Sequence, residues 1–101
     1  MKRERRQSPR ETCDNRLSVA LDNRQIDTEM KNISDGGALF QVLGKDNGKI
    51  TSADTGQIVS FRLSGNKTNI NYVGTINRYV EANNNKYLAV YFNQQTTEEF
   101  V

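Results

Sequence analysis

The sequence predicts an all-β fold, a small antiparallel barrel in preference to a sandwich. Three observations carry this. Apolar and polar residues alternate with a period of two over most of the chain, the pattern of half-buried strands. The alternating runs are separated by clusters of Gly, Asn, Asp and Ser, and helix signal is almost absent. At 101 residues the chain fits one domain with a modest core. The runs number six or seven, are short, and none reads as a flat open edge, which favours closure into a barrel.

Taken in order, residues 1–10 have no apolar pattern, and a flexible arm is expected over residues 1–12, with the barrel occupying 13–101. Residues 16–21 place Leu17, Val19 and Leu21 on one side, and Asp22-Asn23-Arg24-Gln25 reads as a turn. Residues 26–32 set Ile26, Thr28 and Met30 against Asp27, Glu29 and Lys31, a strand with one charged face. Residues 38–43 resume with Ala38, Phe40 and Val42 on one face. Residues 44–56 form a polar loop with a short strand expected near 49–51. Residues 57–63 turn Val59, Phe61 and Leu63 inward, and Ser64-Gly65-Asn66-Lys67 is a turn. Residues 70–80 are long enough to bend around a barrel, with Gly74 at the bend. An Asn-rich hairpin loop leads to a strand over 86–92 with Leu88, Val90 and Phe92 on one face. Thr96 and Glu99 have capping-box spacing ahead of Phe100-Val101, which predicts the start of a short C-terminal helix.

The net charge of +2 is unevenly spread. Residues 1–10 carry Lys2, Arg3, Arg5, Arg6 and Arg10 against Glu4 alone, whereas the rest of the chain carries nine basic and eleven acidic residues. A basic arm on a mildly acidic body points to a phosphate-bearing partner. There is no histidine, so the commonest general base and metal ligand is missing. Cys13 is the single cysteine; it forms no intramolecular disulfide and suits a reducing compartment. It has no evident activating base, and no carboxylate pair is placed for acid–base work. The reading is therefore a binding module, not an enzyme, with no catalytic or metal-ligating residues and no cofactor. No apolar run approaches membrane-spanning length, which predicts a soluble protein.

Two stretches stand out. Arg6 and Arg10 lie four residues apart in a segment that Pro9 biases towards extended conformations, so both guanidinium forks face one side. Such forks bind phosphate oxygens bidentately and stack on rings. The second stretch is Asn32-Ile33-Ser34-Asp35-Gly36-Gly37. A tight turn needs only part of it. Asn32 and Ser34 project from the same side of an extended chain, and the glycines allow positive φ or close approach of a ligand to backbone.

Together, Arg6-x-x-x-Arg10 ahead of the first strand and Asn32-x-Ser34-x-x-Gly37 two strands later resemble the PilZ domain family over essentially the whole chain. The resemblance implies a six-stranded antiparallel barrel with a flexible basic arm and a short C-terminal helix. It implies a bacterial, cytoplasmic receptor or regulatory domain for the second messenger cyclic di-GMP, acting on a downstream protein partner by ligand-induced closure of the arm. Arg6 and Arg10 match the motif arginines that hold phosphates and guanine edges, and Arg5 precedes them as a further arginine often does. Asn32, Ser34 and Gly37 match the fixed positions of the turn. Some members carry a stacking tryptophan where this chain has Arg78; its guanidinium plane can stack in the same way, the alternative being a solvated strand arginine. The competing reading is a small-barrel nucleic-acid module. The acidic body and the lack of a clustered aromatic RNA-reading strand argue against it.

Overall fold

The computed structural model describes residues 11–65 and 67–99. Six strands are present: β1 (Glu11–Leu21), β2 (Arg24–Ile33), β3 (Gly37–Val42), β4 (Ile58–Ser64), β5 (Thr68–Ala82) and β6 (Asn85–Glu99). They close into an antiparallel barrel in the order β1-β2-β3-β6-β5-β4. Closure between β1 and β4 rests on two residue pairs, Ala20 with Ser60 and Leu21 with Val59.

The inward residues are those the alternation marks. Val19, Leu21, Ile26, Met30, Ala38, Phe40, Val42, Val59, Phe61, Leu88 and Val90 are buried, with Leu17, Leu63 and Phe92 packed against them. Thr28 shares this face because its hydroxyl donates to the Leu17 carbonyl at 3.0 Å, so no polar atom is stranded. Phe61 stacks on Tyr72 at 4.8 Å and meets Phe40 edge-on at 5.0 Å. These rings are core, as their spacing suggests.

The turns behave as their residues dictate. Asn83 and Asn84 both have positive φ, as a two-residue type I′ hairpin requires, so β5 and β6 form one long ribbon. That ribbon contains the main departure from expectation. Thr96–Glu99, predicted to start a helix, are the last residues of β6 and pair with Asn71, Ile70, Asn69 and Thr68. Helix nucleation fixes several dihedrals for one bond, whereas a strand partner already in place offers a bond for each pair fixed. Threonine also suits the ladder.

The 44–56 loop has no strand at 49–51. It forms two 3-10 turns, Gly44–Lys49 and Ser52–Asp54, on either side of the fully buried Ile50. Long-range bonds hold it. The Asp46 carboxylate accepts from the Asp27 backbone N–H at 2.7 Å and pairs with Lys49 at 3.1 Å. Asp54 accepts from the Thr51 N–H at 3.0 Å and pairs with Arg24 at 2.9 Å. Lys86 Nζ donates to the Asn47 and Ile50 carbonyls at 2.5 and 2.7 Å. The Asp27 N–H and Lys49 hold the Asp46 carboxyl below its usual range, and Arg24 does the same for Asp54. A reciprocal cap therefore does form, but at Thr51 and Asp54 rather than at Thr96 and Glu99.

Candidate functional site

The Asn32–Gly37 segment joins β2 to β3. The Ser34 N–H donates to the Gly37 carbonyl at 2.8 Å, and the Phe92 N–H donates to the Gly36 carbonyl at 3.0 Å, so β6 pins the turn. The Ser34 hydroxyl makes only a long 3.4 Å contact to the Gly37 carbonyl. Its oxygen keeps accepting capacity for another group.

The glycines differ from expectation. Neither Gly36 nor Gly37 has positive φ; among the described glycines only Gly56 does. What Gly37 supplies is room for the protein's own backbone. A Cβ there would run into the Val90 carbonyl oxygen, with Val90 C at 3.4 Å and Tyr91 Cα at 3.7 Å. A Cβ on Gly36 would meet nothing within 4 Å.

Two β-bulges decide which side chains reach the outside. In β2, Met30 pairs with Phe40 and Asn32 with Leu39, so Lys31 is an extra residue. Met30 is buried, and strict alternation would send Asn32 inward with it. The bulge turns Asn32 to the outer face and Ile33 towards the core. In β5, Ile76 pairs with Val90 and Arg78 with Ala89, so Asn77 is extra. Ile76 is buried, and again the bulge moves its second neighbour, Arg78, outward. The corrected register gives one row across four strands, Asn32–Leu39–Ala89–Arg78, in the strand order β2, β3, β6, β5. The next row is Gly37–Tyr91–Thr75–Ile58, across β3, β6, β5 and β4.

An open cleft of about 420 Å³ lies over these rows, lined by Asn32, Ser34, Gly37 and Arg78 together with Asn77, Ala89 and Tyr91. The structure thus brings together four of the sequence-predicted site residues from three strands and a turn. Arg5, Arg6 and Arg10 lie outside the described residues. Tyr91 and Asn77 were missed. Alternation around Leu88 and Val90 already marks Tyr91 as an outward ring, whereas Asn77 becomes visible only through the bulge. Arg24 is tied to Asp54 and Arg62 donates to Asn71, but among the described residues the Arg78 guanidinium has no hydrogen-bond or ion-pair partner. The cleft therefore presents an amide, a hydroxyl, a free guanidinium and an exposed phenol ring, a set suited to a planar polar ligand with hydrogen-bonding edges.

The sequence pattern of the PilZ domain matches residues 4–100. The chain belongs to the PilZ domain family. Among solved structures, that of Bacillus subtilis Inhibitor of motility (MotI/DgrA) is similar at 16% identity with a TM-score of 0.67, over 92% of this chain. At that identity the likeness is one of fold, and this chain covers 44% of that protein. No curated protein matches. Among the described residues of this PilZ domain, no helix is long and apolar enough to cross a membrane.

Proposed function

We propose that this PilZ domain is a receptor module for cyclic di-GMP, acting by ligand-induced closure of its N-terminal arm and not as an enzyme. The observation that carries the reading is the register at the start of β1. Glu11 pairs with Ile33 and Thr12 with Asn32, so the chain enters the barrel beside the turn. Arg10 is one residue before that point. Arg6 is five before it, a reach of at most about 18 Å in an extended chain. A tether of that length allows the two arginines of the RxxxR segment to reach Asn32 and Ser34, which supports the reading.

In this mechanism Arg6 and Arg10, assisted by Arg5, hold the phosphates and guanine edges through charge-assisted forks. Asn32 both donates to and accepts from a guanine edge, and Ser34 accepts at its hydroxyl. Gly37 acts indirectly, by letting β6 draw close under the turn. Arg78 lays its guanidinium plane against a base. Ordering the arm opposes part of the binding energy, and the closed arm makes or breaks a surface for a protein partner.

Isothermal titration of the full chain with cyclic di-GMP, beside a titration with single-stranded oligonucleotide, tests the reading. The expected result is saturable binding of the dinucleotide alone. Arg6→Ala or Arg10→Ala lowers its affinity by roughly 1.5–3 kcal/mol, about one to two decades, with thermal stability nearly unchanged. Arg→Lys restores only part of the loss, since an ammonium lacks the planar fork. Saturable binding of oligonucleotide without the dinucleotide favours the nucleic-acid reading instead.

A further inference from the structure

Tyr91 is 59% exposed, an uncommon state for an aromatic ring on a central strand of a small barrel. It stands on β6 between Gly37 of β3 and Thr75 of β5. Two residues earlier on the same face is Ala89, opposite Arg78. Arg78 and Tyr91 are therefore diagonal neighbours across the β5–β6 pair. Such positions lie roughly 7–8 Å apart. Two stacked carbon contacts of roughly 3.5–4.0 Å need the same span. Both groups are flat, and both line the cleft. Between them lies Ala89, with only a methyl group, so the floor is low where the walls are high; Gly37 and Thr75 flank Tyr91, and Leu39 flanks Ala89. The wall at Arg78 exists only because of the Asn77 bulge.

We propose that Tyr91 and Arg78 form a slot, floored by Ala89, that grips one purine ring of the ligand on both faces. This inference rests on the cyclic di-GMP reading and adds to it a residue, Tyr91, that lies outside both motifs. The phenol ring supplies one stacking face and the guanidinium the other, with a cation–π contribution across the base. Asn32, at the far end of Arg78's row, is left to address a base edge.

The test is isothermal titration of cyclic di-GMP into the full chain, its Tyr91→Ala, Tyr91→Phe and Ala89→Leu variants, and Ser34→Ala, with thermal unfolding of each. Stacking on one base is lost in Tyr91→Ala, which weakens binding roughly ten- to a hundredfold. Tyr91→Phe keeps the ring and stays within about threefold of wild type, because only the hydroxyl is removed. Ala89→Leu raises the floor and weakens binding at least as much as Tyr91→Ala, while both variants unfold within a few degrees of wild type. Wild-type affinity in both Tyr91→Ala and Ala89→Leu, with Ser34→Ala weakened, overturns the slot and leaves the receptor reading standing. A wild-type chain that does not bind cyclic di-GMP overturns both.

Discussion

Substituting Gly37 and Gly36 in parallel separates the architecture of the turn from its chemistry. In Gly37→Ala the new Cβ meets the Val90 carbonyl oxygen, and that oxygen is backbone. No rotamer change relieves the overlap. Either β3 and β6 separate, straining the pairing of Gly37 with Tyr91 and of Ala38 with Val90, or the turn shifts and loses its Phe92 N–H to Gly36 carbonyl bond. Overpacking of this kind costs roughly 1–3 kcal/mol. The smaller entropy of an unfolded alanine chain returns about 0.4–1 kcal/mol, so Gly37→Ala is destabilised by roughly 1–2 kcal/mol. At about 4–8 °C per kcal/mol for a domain near this size, the midpoint falls by roughly 5–15 °C. Gly36→Ala faces open space without positive φ and keeps only the entropic term, a gain of roughly 2–8 °C. Thermal unfolding followed by circular dichroism at neutral pH reads both. If Gly37→Ala melts with or above Gly36→Ala, the close approach of β6 is not what Gly37 serves. Loss of ligand binding in Gly37 variants then reports direct contact with ligand, the role first expected of it.

Two further perturbations address the 44–56 loop. The Asp46 and Asp54 carboxyls titrate below their ordinary value in the folded chain, so each contributes stability that is present above about pH 3.9, the unfolded value, and lost as pH falls through the lower folded value. The melting temperature should hold steady from neutral pH to about 5 and drop below about 4; Asp46→Asn and Asp54→Asn should start lower at pH 7 and show a shallower acid drop, and an unchanged slope in both would assign the acid sensitivity elsewhere. Lys86→Met strands the Asn47 and Ile50 carbonyls and should destabilise the fold by roughly 1–3 kcal/mol. It should leave ligand affinity intact, because Lys86 pairs with Val42 at the far end of β3 from Gly37, so a matching loss of affinity would contradict the separation of loop and cleft.

The inward faces of five of the six strands are legible in the sequence because burial on one side of a strand imposes a period of two, and Leu21, Phe40, Val59 and Leu88 keep it; β5, with its bulges, is the exception. What periodicity does not mark is its own interruption. Lys31 and Asn77 each reset the phase, and nothing in a single polar residue announces a bulge. As a result Asn32 was singled out for its chemistry although simple alternation from Met30 points it into the core. Arg78 was placed on a strand with no means of bringing it to Asn32. Pairing register, a long-range property, unites them. The 3-10 turns around Ile50 were hidden for a similar reason: Arg24, Asp27 and Lys86, which hold them, are remote in sequence. The Thr96–Glu99 spacing misled because a capping pattern is local, and the β5–β6 ribbon outcompetes it.

The closure of the barrel is lopsided. On one side β1 is zipped to β2 along most of its length, while on the other only Ala20 and Leu21 reach β4. Those two pairs join residues about forty positions apart in the chain, so the loop they close is long and its entropic cost is met by very few bonds. The cylinder is in this sense a rolled sheet held by a clasp. Release of the clasp exposes β4 and the Val59 side of the core while leaving β2, β3, β5 and β6, which carry the cleft, hydrogen-bonded to one another. The β1–β4 seam is therefore expected to open more readily than the paired strands β2, β3, β6 and β5, away from the row that joins Asn32 to Arg78. The strand that leaves β4 there is the same one that the basic arm runs into, so pulling on the arm and loosening the seam act on one element.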